Sequence, residues 1–73
     1  MIEILRTNDA VIISIIETLL KEAGIFYMVA DSHMSVVEGS LGFLQKRVLV
    51  ESDRVKEARQ LIIDADLGNE LLD

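Results

Sequence analysis

The run Asp31–Leu44, DSHMSVVEGSLGFL, cuts this chain into two parts and so limits what it can fold into. Ahead of it lie a strand-like, a helix-like and a second strand-like segment; behind it lie a third strand and a second helix. Fourteen residues make a long connection for a domain of this size, and such connections are usually functional or disordered. The run holds the only histidine, His33, with Gly39 and Gly42 and the serines Ser32, Ser35 and Ser40. It also holds Met34, Val36, Val37, Leu41 and Phe43, where a loop is normally polar, and that apolar content argues against plain disorder.

The flanking segments are read from their periodicity. Ile2 to Arg6 alternates as a strand, Ile2 and Ile4 to one side, Glu3 and Leu5 to the other. Thr7-Asn8-Asp9 supplies short polar acceptors for a helix start. Val11, Ile12, Ile15, Ile16, Leu19, Leu20 and Ala23 then recur at three- and four-residue spacing, which predicts a helix over about Asp9–Ala23 with a broad buried face. Gly24 follows, where a left-handed residue closes a helix without a Cβ clash. Ile25–Ala30 is the second strand. Lys46–Glu51 is the third, with Val48 and Val50 opposed to Arg47 and Leu49. Ser52-Asp53 begins a helix over roughly Asp53–Asp66, whose stripe is Val55, Ala58, Leu61, Ile62 and Ala65, with Lys56 and Arg59 on the exposed side.

That order, β-α-β-β-α, predicts an α+β sandwich in the ferredoxin-like manner, two helices on one face of a small sheet. Residues 1–68 are expected to form one domain, and 69–73 an acidic C-terminal tail, read as a frayed terminus or, in the functional alternative, as an acidic docking tail. Leu67–Leu72 is short and broken by Gly68 and Asn69, so no fourth strand is expected, and the sheet is left with an open edge.

Size and charge narrow the function. A chain of 73 residues buries only roughly 60% of its unfolded surface. With no cysteine, neither disulfides nor thiolate metal sites can compensate. The apolar share of 51% exceeds what one small core hides, and together with the open edge it predicts a homo-oligomer, a dimer or trimer. Seven basic residues against thirteen acidic ones, for a net charge of −6, argue against nucleic acid as a partner. No apolar run approaches a membrane span. The start, MIEILRTND, does not read as a signal peptide, so cytoplasmic residence is expected.

The segments IEILRTNDA, AGI, HMSVVEGSLGFL and RVLV-S-D together resemble a small bacterial family of putative prokaryotic signal-transducing proteins, a domain of unknown function. The resemblance spans about Ile2–Gly68, and HMS-x-x-EGS-x-G is its most specific part. It implies a ferredoxin-like unit grouped with the PII-type nitrogen regulators. In those proteins the segment between strands two and three is the regulatory loop that engages partners and shapes a nucleotide site, and Asp31–Leu44 occupies the same slot. The basic residues that hold nucleotide in true PII proteins are absent here.

Within the loop, Asp31, His33 and Glu38 are the one combination with metal-ligand chemistry. One imidazole and two carboxylates leave a shell incomplete, so neither metal nor cofactor is assigned. No nucleophile and orienting group can be assembled around His33, and no enzyme is expected. Gly39-Ser40-Leu41-Gly42, with Lys46 and Arg47 nearby, has the composition of an anion nest, but Glu38 opposes an anion and the glycines read as turns. Met34, Val36, Val37, Leu41 and Phe43 leave two alternatives open: core or dimer interface if the loop folds onto the sheet, a recognition surface if it projects. The expected binding surface is Asp31, His33, Met34, Ser35, Glu38, Gly39, Ser40 and Gly42. The function expected from it is that of a regulatory adaptor, the alternative being a PII-like sensor of a small molecule or nucleotide.

Overall fold

The computed structural model describes residues 1–31 and 45–72. In chain order these form β1 (Ile2–Thr7), α1 (Ala10–Glu22), β2 (Tyr27–Asp31), β3 (Lys46–Val50) and α2 (Val55–Asp64), with short 3₁₀ turns at Ser52–Arg54 and Gly68–Glu70. β3 lies in the middle of the sheet, antiparallel to both β1 and β2. The first and second strands therefore run the same way on either side of the third. This is the α+β arrangement expected.

β1 does not alternate as its sequence predicts. The register with β3 shifts between Glu3 and Leu5, and this bulge turns both Ile4 and Leu5 into the core, each almost fully buried. An extra residue on one strand re-aims the side chains around it. β1 thus contributes two adjacent core residues where strict alternation would give one.

Thr7 ends the strand buried, and its Oγ1 accepts from the Asp9 N–H at 3.1 Å. The Asp9 carboxylate then accepts from the N–H groups of Val11 and Ile12 and caps α1, a contact worth about 1 kcal/mol. Ile13, Ile16 and Leu20 face the core. Val11 and Ile15, expected inside, are 66% and 41% exposed. Val11 lies in line with the polar stripe Ser14, Glu17, Thr18, Lys21 and Glu22, and Ile15 borders it, so the polar side of the helix carries both outward. Gly24 has φ +70°; its N–H donates to Lys21 O at 3.1 Å and the next N–H, Ile25, to Leu20 O at 3.0 Å. These two bonds satisfy carbonyls of the last turn.

Between β3 and α2 the 3₁₀ turn replaces the expected Ser52-Asp53 cap, and no side chain caps it. Arg54 holds the junction instead. Its guanidinium reaches Glu57 at 2.7 Å, Glu51 at 3.6 Å and the Ala23 carbonyl at 3.4 Å, tying the start of α2 to the end of α1. Ala58 and Ile62 are buried, and Val55 and Leu61 pack beside them.

α2 closes as α1 does, but on Asp66, with φ +67°. Asp66 N–H donates to Ile63 O and Leu67 N–H to Ile62 O, both at 3.0 Å. The chain then turns back to β1. Leu71 bridges Leu5 in antiparallel sense, the Leu72 N–H donates to Ile4 O at 2.9 Å, and Arg59 Nη1 donates to Leu72 O at 2.7 Å. Arg59 is therefore half-buried on the chain end rather than exposed. The acidic tail is drawn in as far as Leu72, beside β1, where a fourth strand would lie.

Candidate functional site

The β2–β3 ladder runs from Tyr27 opposite Val50 to Asp31 opposite Lys46. Both ends of the long connection therefore leave from one rung. Asp31 is placed there by its backbone; His33, Met34, Ser35, Glu38, Gly39, Ser40 and Gly42 lie outside the described residues. Among the described residues no group of His, Cys, Asp or Glu is arranged to hold a metal.

The rungs next to that exit build a charged cluster on the face turned away from α1 and α2. Residues directly opposite in the ladder share a face. Buried Val48 and Val50 mark the side toward the helices, so Arg47 and Leu49 point away, with Met28 and Ala30 on β2 and Glu3 and Arg6 on β1. Arg6 stands opposite Arg47, a like-charge pair that destabilises a sheet unless an anion bridges it. Glu3 is that anion. It accepts from Arg6 Nε at 2.8 Å and lies 3.4 Å from Arg47 Nη1, with its side chain 17% exposed. The Arg6 hydrogen bond, with the charges of Arg6 and Arg47, holds its carboxyl below the ordinary value. Two guanidinium groups share one carboxylate, and Arg47 Nε is buried with no hydrogen-bond partner among the described residues. In a chain of net charge −6 this face carries a local cation surplus. Chemically it offers guanidinium donors to an anion beside one carboxylate that both guanidinium groups hold.

Sequence reading named Arg47 only as an aid to the loop and missed Glu3 and Arg6 as its partners. Alternation gives the faces of each strand, but which residues meet across strands depends on the register, and here on the bulge.

On the opposite face Tyr27 OH donates to Glu17 of α1 at 2.9 Å. Partial burial, and then Glu17, push the phenol up from its ordinary value. The same strand leaves Met28 50% exposed, and Phe26, just ahead of it, 68% exposed.

No curated protein matches this chain. Residues 1–66 match the family described as "putative prokaryotic signal transducing protein" (DUF2007), and the chain belongs to that family.

Proposed function

We propose that this domain is a non-catalytic regulatory adaptor of the cytoplasm that works through residues 31–44, binds no resident cofactor and self-associates as a dimer or trimer. The observation that carries the reading is the rung Asp31–Lys46. A sheet strand on each side holds both ends of a long, apolar, glycine-containing connection, which is how a scaffold presents a recognition segment. Family membership supports a signalling role. No helix among the described residues is long and apolar enough to cross a membrane. Deleting Ser35–Leu41 is the test. The shortened chain is expected to keep its circular dichroism and thermal transition while losing the proteins cross-linked to the full chain in its own cells; an unchanged set of cross-linked partners contradicts the reading.

The Glu3–Arg6–Arg47 cluster, one rung from the loop exit, favours a second reading: a sensor of a small anionic metabolite or nucleotide. It predicts stabilisation of about 2.7 kcal/mol at a hundredfold excess of ligand over its dissociation constant. A thermal-shift screen of nucleotides and common organic acids in which nothing moves the transition argues against it.

A further inference from the structure

We propose that the outer edge of β2 is the self-association surface, and that its occupant is β2 of a second copy of this chain, paired antiparallel. This rests on the self-association reading above and says where the copies meet.

Main-chain direction comes first. The Glu51 N–H donates to Phe26 O at 3.3 Å. Hydrogen-bonded rungs alternate along an antiparallel pair, so Met28–Leu49 and Ala30–Arg47 exchange the bonds with β3. The N–H and C=O groups of Tyr27, Val29 and Asp31 then point away from β3, and no described residue pairs with them. A row left unpaired among the described residues is a template for another strand. A two-fold axis through Val29 sets Val29 against Val29 of the second copy and Tyr27 against Asp31, so outward groups meet outward groups. Sliding one copy by a single residue from this register sets outward groups against inward ones.

Charge then selects the edge. Two copies of net charge −6 repel across most of their surface. Phe26 to Ala30 carries no charge at all. In the register centred on Val29, Asp31 faces Tyr27 rather than itself, so no like charges oppose along the seam. Edge strands that avoid pairing carry lysine, proline or an inward charge; β2 has none before its last residue.

Side chains agree with the backbone. On the face turned away from α1 and α2, Met28 falls opposite Ala30 of the second copy. Pairing covers Met28, and Phe26 beside it, which are among the most exposed large apolar residues described.

The test uses the full chain and two variants, Met28→Lys and a chemically synthesised chain N-methylated at Val29. The methyl removes one outward N–H and leaves the bonds to β3 in place. Native mass spectrometry and light scattering are expected to show a dimer for the unmodified chain, and at least a tenfold weaker dimer for each variant at unchanged circular dichroism. Mixed-label NMR of the unmodified dimer is expected to show the Hα of Met28 against the Hα of Ala30 of the other copy. A chain that stays monomeric to its solubility limit overturns the self-association reading and this proposal together. A dimer that lacks the Met28–Ala30 contact, or that both folded variants retain, overturns this proposal alone and moves the seam elsewhere.

Discussion

At the β1 edge the outward carbonyl of Ile4 accepts from Leu72 at 2.9 Å, Leu71 bridges Leu5, and Arg59 grips the Leu72 carbonyl at 2.7 Å. At the β2 edge the outward groups of Tyr27, Val29 and Asp31 meet no described residue. Both edges offer the same main-chain donors and acceptors, so backbone chemistry does not distinguish them. What differs is the chain that follows α2. Asp66 takes a left-handed conformation, Gly68 turns beneath Ile63, and Leu71 arrives beside β1 with enough apolar surface to stay. A short segment shields an edge when one side chain packs and one cation holds the backbone; a full strand is not needed.

The largest expected break in that contrast comes from removing Gly68–Asp73, which turns the β1 edge into a second open one. Loss of the partly buried Leu71 and of the bonds to Ile4 and Arg59 is expected to cost about 2–4 kcal/mol in urea unfolding. Species larger than the full chain's own oligomer are expected in light scattering. Arg59→Ala leaves Leu71 in place and removes only the grip on Leu72; about 1–2 kcal/mol is expected, with faster hydrogen exchange confined to the β1 edge. If exchange speeds up equally along α2, Arg59 serves the helix rather than the edge.

Glu3→Gln reaches the face between the edges. Arg6 and Arg47 would stand opposite each other without their anion, at an expected cost of about 1 kcal/mol at neutral pH. The pH dependence has a definite sign. The folded carboxyl titrates below its ordinary value of 4.5, so its contribution is full above that pH and is lost as pH falls through the lower folded value. The stability difference between wild type and Glu3→Gln should therefore shrink as pH drops from 5 toward 3. A difference that is flat over that range contradicts the ion-pair account.

The smallest effect runs the other way. Asp66→Gly relieves a left-handed non-glycine residue at the close of α2 and is expected to stabilise by about 0.5–1 kcal/mol. The equivalent position after α1 already carries Gly24. A destabilised Asp66→Gly would mean that its carboxylate holds the tail in a way the backbone geometry does not require.

Much of this fold was legible in the sequence because local chemistry decides it. Asp9 before an apolar run gives the start of α1, Gly24 its end, and the alternation of Arg47–Val50 gives the faces of β3. What was not legible depends on partners far along the chain. The bulge that buries Ile4 together with Leu5 is set by pairing with β3. The outward turn of Val11 and Ile15, by contrast, was open to the sequence, because Ser14, Glu17, Thr18, Lys21 and Glu22 mark the polar side that contains Val11 and borders Ile15. Docking of Leu71 needs Arg59 and Leu5 in place, and no propensity of Leu67–Leu72 announces it. Of the loop the sequence singled out, the structure places Asp31 by its backbone on the exit rung. The neighbouring Glu3–Arg6–Arg47 cluster emerges only once the register joins its strands.

The most direct test is residue-resolved hydrogen exchange on the unmodified chain across a concentration series. The account predicts that the Leu72 amide, bonded to the Ile4 carbonyl at 2.9 Å, is protected at every concentration, whereas the Val29 amide exchanges freely when dilute and gains protection as the chain associates. A Val29 amide protected in the dilute monomer would contradict it, because that edge would then already be covered from within.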